Sequence, residues 1–347
     1  MRHRKKSEDN DPTPKERDTD TMRECRKVQY RPEGMLIGTP ENREILSSES
    51  NLERAATTGK IIEGMAVMCD RSMTLQVDLG CMRGIIPREE AALTPDGAPP
   101  KDIAVITRVG KPVCFCVMGI RQDAAGPYAV LSRRAAQYAC LHNYLADLIP
   151  GDIVESRVTH MEQFGAFVDI GCGIVSLLSI DCISVSRISH PKDRFSVGDT
   201  IRTVIRSVEM PEGKIYVSHK ELLGTWEENA AAFSVGQTVA GIVRSVEEYG
   251  IFVELTPNLA GLAEYREGVK VGQAAAVYIK NMIPERMKIK LVLVDAAENQ
   301  APPPPIRYFL GEDRLHIDRW LYSPSGCQKT VESVFESESR LCSGCNT

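Results

Sequence analysis

The sequence predicts a mainly β protein built from tandem five-stranded barrels joined by short helical linkers. Three observations lead there. From residue 58 the chain breaks into short β-type runs split by Gly, Pro and Asp, a segment of about 70 residues recurs, and no long amphipathic helix lies inside a copy. In the repeat, Gly151-Asp152-Ile153-Val154 aligns with Gly236-Gln237-Thr238-Val239, and Phe164 to Ile170 aligns with Tyr249 to Leu255. Each copy places its central glycine (Gly165, Gly250) 14 residues after the opening one and then restarts at Val197-Gly198-Asp199 or Val271-Gly272-Gln273. Ile201–Val208 and Lys214–Ser218 supply the last two runs of the earlier copy. Five short strands in so little chain favour a closed barrel over a parallel α/β sheet.

A fainter copy precedes these two. Val77-Asp78-Leu79-Gly80 matches Val168-Asp169-Ile170-Gly171, Gly84-Ile85-Ile86-Pro87 follows, and Pro112–Val117 and Tyr128–Ser132 provide the closing strands. Met73 and Gln76 stand where the other copies carry aromatics. Ser132–Leu148 reads as a capped helix with an apolar stripe at Ala136, Cys140, Tyr144 and Leu148, and Lys220–Phe233 reads as a second helix carrying Trp226. The expected division is therefore a mobile mixed-charge arm at 1–57, a degenerate barrel at 58–134, a helical linker at 135–149, a barrel at 150–220, a linker helix at 221–234, a barrel at 235–295, and a Pro-rich spacer and tail at 296–347. Within that tail, the runs around Tyr308 and Trp320 are too apolar to be purely disordered.

Composition bounds the function. With 347 residues, 43% hydrophobic and 26% charged, the chain has material for two or three domains. Lys and Arg total 42 against 47 Asp and Glu, a net charge of −5, so a bulk polycation is excluded and any nucleic acid must be held by local surfaces. The first 31 residues hold ten basic and seven acidic side chains with little to bury, which reads as a solvated leader, with contact to RNA as the alternative. No apolar run approaches the roughly 20 residues of a membrane span. The start Met1-Arg2-His3-Arg4-Lys5-Lys6 is not a secretory signal. Eleven cysteines, an odd number, suit reduced thiols and a cytoplasmic location.

The opening Gly151-x-x-Val154, the run Phe164-Gly165-Ala166-Phe167-Val168 and the closing Ser218-x-Lys220 resemble the S1 RNA-binding domain family. Gly261-Leu262 matches the family's third strand in the last copy. The stretches Trp226-Glu227-Glu228-Asn229-Ala230 and Val130-Leu131-Ser132-Arg133-Arg134 look like links between the tandem barrels of ribosomal S1 proteins. The resemblance spans residues 58 to 295 and implies an OB-type barrel that binds single-stranded RNA.

Such binding needs flat apolar faces for bases and cations for phosphates. Phe164 and Phe167 are the platform candidates, with Tyr249 and Phe252 as counterparts. Strict alternation would bury one ring of each pair. A bend at Gly165 or Gly250 would let both face outward, and Val168 and Ile170 in the inward phase make Phe167 outward. The resemblance also implies a His on the third strand, an acid at the end of the fourth and an Arg on the fifth. Here Ser179 and Glu264 occupy the His position, while Glu209 and Lys214 match the acid and the base. His190, in a turn before Pro191, is either a partial substitute for that His or a solvated or capping residue. Arg157, Arg187, Arg194 and Arg206 are candidate phosphate contacts.

The middle copy has eight basic and nine acidic residues and the last has seven of each, so any RNA footprint is a narrow stripe. The first copy suits protein contact or spacing. No phosphate-binding Gly-x-x-x-x-Gly-Lys-Ser/Thr loop or His-Glu-x-x-His is present and no catalytic constellation stands out, so no enzyme, cofactor or metal is expected. Cys114 and Cys116 read as small core residues. Cys342-x-x-Cys345 reads as a free pair on the tail, with a zinc site shared with Cys327 and His316 as the alternative. The expected function is a non-enzymatic binder of single-stranded RNA or mRNA, associated with the small ribosomal subunit and with no membrane. The rivals are a protein-interaction scaffold with a decayed RNA face and an accessory subunit of an RNA-processing or degradation complex.

Overall fold

The computed structural model describes residues 29–209, 214–299 and 301–335. They divide into two compact units, one comprising residues up to 147 with 171–173, the other comprising 148–170 and the chain from 174.

The first unit holds one closed barrel made of β1 (Ile61–Cys69), β2 (Leu75–Asp78), β3 (Arg83–Ile86), β4 (Pro112–Asp123) and β5 (Gly126–Ser132), ordered β1-β2-β3-β5-β4. Closure comes from a short parallel pairing in which Gly84 and Ile85 face Ala129 and Val130. The inward residues Ile62, Leu75, Val77, Ile86, Val113, Phe115, Val117 and Leu131 form the core. Two helices precede the barrel, α1 (Pro40–Leu46) and α2 (Glu49–Thr58). Residues 40–57 were expected in the mobile arm but form these two helices. The Thr39 and Ser48 side chains cap the two N-termini, Gly59 ends α2 at a left-handed φ of 64°, and Ile45, Leu52 and Ala55 enter the barrel core. Low mean hydropathy hides that stripe in a composition count, but its spacing is helical.

The segment before α1 is held by carboxylates. Glu63 accepts the main-chain N–H groups of Gly34, Leu36 and Ile37 at 2.9–3.0 Å. Glu33 is gripped by Arg133 at 2.6 and 2.9 Å and accepts the Cys114 N–H at 3.1 Å. Cys114 and Cys116 are buried as expected, but on the outer face of β4 and not inside the barrel. Burial pushes the Cys116 thiol up to about 11, so it is not a reactive thiolate near neutral pH. The helix after β5, α3 (Asp102–Ile106) having come earlier in the chain, is α4 (Arg133–Asn143), capped by Ser132.

The second unit contains two further barrels of the same winding. One uses β6 (Ile153–Glu162), β7 (Gly165–Asp169), β8 (Val175–Ser179), β9 (Thr200–Glu209) and β10 (Lys214–Ser218). The other uses β11 (Thr238–Glu247), β12 (Gly250–Thr256), β13 (Leu259–Ala263), β14 (Ala274–Ile283) and β15 (Lys288–Ala297). Between them the expected linker helix is a single turn at residues 220–223 and the short α5 (Trp226–Ala230), closed by a Thr225/Glu228 capping box.

The tail is structured through residue 335. Its extended stretch bonds to the edge of β6, Ile153 N–H to Leu315 O at 2.8 Å and Ile317 N–H to Gly151 O at 3.0 Å. Ile317 and Phe335 pack with Ile153, Val204 and Leu222. Further on, β16 (Arg319–Leu321) pairs with β17 (Glu332–Val334), and Trp320 and Tyr322 join Trp226 in the core of the third barrel. The Tyr322 hydroxyl donates to Asn258 O at 2.5 Å. His316 is engaged by Asp152 at 2.8 Å and Asp318 at 3.3 Å. Cys342 and Cys345 lie outside the described residues; among the described residues, no group of three or more His, Cys, Asp and Glu is placed to hold a metal ion.

His219 lies wholly buried beneath this tail, its Nδ1–H donating to Ile183 O at 3.0 Å, with Phe195 and Tyr308 edge-on to its ring. Burial lowers its pKa from 6.5 to about 4, so the folded unit holds it neutral. Unfolding at pH below 6.5 lets it take a proton. The stability it contributes is thus present above pH 6.5 and is lost as pH falls toward 4, on the order of 3 kcal/mol in full. Urea denaturation at pH 7, 5.5 and 4.5 should show that loss in the wild type. His219→Gln should be less stable at pH 7 and should have a flatter profile across the same window.

Candidate nucleic-acid interface

The hairpin between β6 and β7 decides where the rings go. Glu162 pairs with Gly165, leaving Gln163 and Phe164 as a two-residue turn. Phe164 therefore sits in the turn, outside strand alternation, and is 56% exposed. Phe167 projects outward from β7, half-buried, with Ala166 and Val168 in the barrel core. The bend anticipated at Gly165 is the turn itself. Glycine there also lets β8 approach, because a Cβ at Gly165 would come within 2.5 Å of Leu178 O. The ring centroids of Phe164 and Phe167 are 6.0 Å apart at 90°.

The third barrel repeats this. Glu247 pairs with Gly250, Glu248 and Tyr249 make the turn, and Tyr249 is 70% exposed. Its ring lies 6.1 Å from that of Phe252 at 85°. Gly250 takes φ 151°, where an added Cβ would meet Ala263 O at 2.5 Å.

Register places more residues on this face than motif reading found. His160 is directly opposite Phe167, its ring 6.1 Å away and nearly parallel at 24°. On the other side Phe167 faces Leu177, Leu177 faces Tyr216, and Tyr216 faces Ser207. His160, Phe167, Leu177, Tyr216 and Ser207 thus form one outward row across all five strands. A two-residue turn at 163–164 fixes 160 opposite 167 by counting, so His160 was findable from the sequence. The His160 Nε2 lies 2.5 Å from Glu162 Oε1. In the third barrel the row is Ser245, Phe252, Leu262, Lys290 and Asn281. In the first it is Met68, Gln76, Ile85, Val130 and Gly119, without an aromatic ring.

The other expected residues are distributed around the second-barrel row. Lys214, exposed at the start of β10, stands opposite Glu209, so the acid and the base are cross-strand partners. Arg206 is exposed on β9, its Nη1 3.1 Å from Cys182 Sγ. Arg157 is half-buried on β6 opposite Asp169, beyond His160 from the hairpin. Ser179 pairs with Gly165, and its hydroxyl donates to Asp181 at 2.5 Å. That hydrogen bond, with Lys220 and Arg206 nearby, holds the Asp181 carboxyl below its usual range and keeps an anion beside the hairpin. Glu264 is exposed, one residue past β13.

His190 is not in the row. Its Nδ1 accepts the Lys192 N–H at 3.1 Å and its own N–H donates to Asp193, which caps the turn at 191–193. Arg194 is withdrawn from any phosphate. It is buried, with Nη2 2.5 Å from Glu254 Oε2 and 3.2 Å from Ser184 Oγ. Arg244 donates to the same carboxylate at 2.9 and 3.2 Å and lies 3.3 Å from Asp193. This group joins the 187–196 connection of the second barrel to β11 and β12 of the third.

Residues 147–220 match the sequence model of the S1 RNA binding domain family, and the second barrel is an S1 domain. The chain is 29% identical over 196 residues to the small ribosomal subunit protein bS1 of Staphylococcus saprophyticus, covering 51% of this chain and 49% of that protein. It is 30% identical over 191 residues to bS1 of Leuconostoc lactis, covering 52% of this chain and 43% of that one. The chain thus spans about half the length of these relatives or less. A multidomain protein with nucleic acid binding domains from Streptococcus pneumoniae aligns at 16% identity and a TM-score of 0.22, over 68% of this chain and 74% of that one.

Replacing Glu254 by Gln should leave the Arg194 and Arg244 guanidinium groups buried without their shared carboxylate. The expected cost is roughly 3–5 kcal/mol, read as a lower urea midpoint for the second unit. An unchanged midpoint would show that the ion group does not hold these barrels together.

Proposed function

We propose that this chain binds single-stranded RNA, mRNA included, through the outward faces of its second and third barrels, and that it does so in the cytoplasm with the small ribosomal subunit and without catalysis. One observation carries the reading. Two hairpins 85 residues apart in the repeat (Phe164 and Tyr249) present the same exposed turn ring, edge-on to the same outward strand ring, at 6.0 and 6.1 Å. A pair at right angles offers faces to two successive bases, and each stacked base is worth about 1–3 kcal/mol. His160 lengthens the second-barrel platform, while Lys214, Arg206 and Arg157 supply the cations. The similarity to bS1 proteins and the S1 domain at 147–220 support the same assignment.

A scaffold role is favoured by a separate observation: the position that would carry a stacking His holds Ser179, engaged with Asp181, in one barrel and the anionic Glu264 in the other. RNA affinity separates the two readings. Fluorescence anisotropy of the full chain with a labelled unstructured RNA, across a salt series, should show binding that weakens as salt rises. Phe164→Ala/Phe167→Ala should lower affinity at least about tenfold, the equivalent of 1.4 kcal/mol. Wild-type protein that binds no RNA at low salt would replace this reading with the scaffold.

A further inference from the structure

The two barrels of the second unit share a winding but not a cover. In the second barrel the β6–β9 edge is closed over by the tail, and Ile153 and Val204 are buried against Ile317. The corresponding pair in the third barrel is Thr238 and Tyr278, which face each other across β11 and β14. Both are exposed, Tyr278 at 39%. Next to them β15 turns alternate residues outward, Lys288, Lys290 and Val292, between the buried Ile289 and Leu291. Lys290 lies between Leu262 of β13 and Asn281 of β14, and Val292 lies beside Tyr278. Lys280 is the extra residue where the register shifts between Ile279 and Asn281. The row that starts at Phe252 therefore runs through Leu262 to Lys290 and continues, one pair along, to Val292 and Tyr278. In the second barrel the places of Val292 and Tyr278 are taken by Ser218 and Val204, both buried.

Among the described residues no ion pair engages Lys280, Lys288 or Lys290. Asp295, three residues past Val292, and Glu264 bound this strip on either side. Measured across β13 and β15 at about 4.8 Å per strand, the path from β12 to β14 is some 14 Å, a distance that several nucleotides of extended RNA cover and that fits the roughly 4–16 nucleotides held by one such barrel.

We propose that the RNA track of the third barrel continues past Phe252 across β15 onto β14, with Lys280 and Lys290 holding backbone phosphates and Tyr278 stacking a further base. This rests on the RNA-binding reading and gives it a direction and a length. Charge decides for RNA over a protein: the strip couples an exposed ring to three lysines and is continuous with the Tyr249–Phe252 pair.

The test uses the full chain carrying Phe164→Ala/Phe167→Ala, so that the third barrel dominates, with labelled oligouridylates of about 4 and about 12 nucleotides. Tyr278→Ala should weaken the longer RNA at least about fivefold and leave the shorter unchanged, and Tyr278→Phe should restore it. Lys280→Gln/Lys290→Gln should reduce the slope of log affinity against log salt by about 1.4 for the longer RNA, at roughly 0.7 per phosphate contact on a single strand. These side chains are exposed, so the variants keep the fold. If Tyr249→Ala/Phe252→Ala abolishes binding while the Tyr278 and lysine variants match their parent at both lengths, the track ends at Phe252 and the β14–β15 face belongs to a protein contact. If the unmutated chain binds neither RNA, the RNA-binding reading itself falls and this extension falls with it.

Discussion

A short parallel pairing closes each barrel, and the same pairing builds the face. Leu177 and Tyr216 sit opposite one another where β8 meets β10, as Leu262 and Lys290 do where β13 meets β15. Closure forces the neighbouring positions inward, where Leu178 and Val217, or Ala263 and Leu291, are sealed from water. It also sets Leu177 and Leu262 between an aromatic strand and a polar one. Had the sheet stayed open, Leu177 and Tyr216 would lie on opposite edges, with Phe167 next to the first of them. Closed, Phe167 and Tyr216 share one row with a single leucine between them. An aromatic row and a cationic or hydroxylated border are thus consequences of completing the core.

The second constraint acts between barrels. A single tandem of barrels on a flexible link would engage RNA as two weak sites joined by an effective concentration. Here the Arg194–Glu254–Arg244 group and the tail together tie the second and third barrels into one unit. Trp320 and Tyr322 pack with Trp226 in one barrel's core, while Ile317 and Phe335 pack on the other. Two aromatic faces so held present their hairpins in a fixed relation, so an RNA engaging both would spend less of its binding energy on ordering them. The buried carboxylate with two guanidinium groups is poor evidence for added stability in itself, but it specifies one arrangement of partners.

Much of the architecture was legible in the chain. The repeat located the second and third barrels, the phase of Val168 set Phe167 outward, and the fainter copy at Val77–Gly80 is the first barrel, with the same winding. What escaped has two physical origins. Long-range pairing leaves no local mark: nothing near Arg194 announces that Glu254 will neutralise it, and nothing around Trp320 says which core it enters. Local signals were also outweighed by composition. The capped helices α1 and α2 were absorbed into a charged arm, although Thr39, Ser48 and Gly59 punctuate them. His190 shows the reverse case, where a ring chosen for its chemistry is occupied by a backbone N–H two residues on. His160, Tyr216 and Lys290 needed strand register, which only His160's hairpin supplies by counting.

Three barrels with one winding have come to carry three different faces, and the differences follow from what covers each edge. In the first, the segment 29–59 lies over the outer side of β4, burying Cys114 and Cys116, and the outward row holds Met68, Gln76, Ile85 and Val130 with no ring to stack a base. In the second, the tail seals the β6–β9 edge at Ile153 and Val204, so the aromatic row ends at Tyr216 and Ser207. The third edge has no such cover among the described residues, and it is there that the outward positions change from Val204 to Tyr278 and from Tyr216 to Lys290. The covered pair Ile153 and Val204 is aliphatic and packs on the tail, whereas the same positions left in water carry a hydroxyl and an amphipathic ring, with lysines beside them. Cover and chemistry have therefore diverged together: where the tail packs, the outward pair is Ile153 and Val204, and where it does not, the pair is Thr238 and Tyr278.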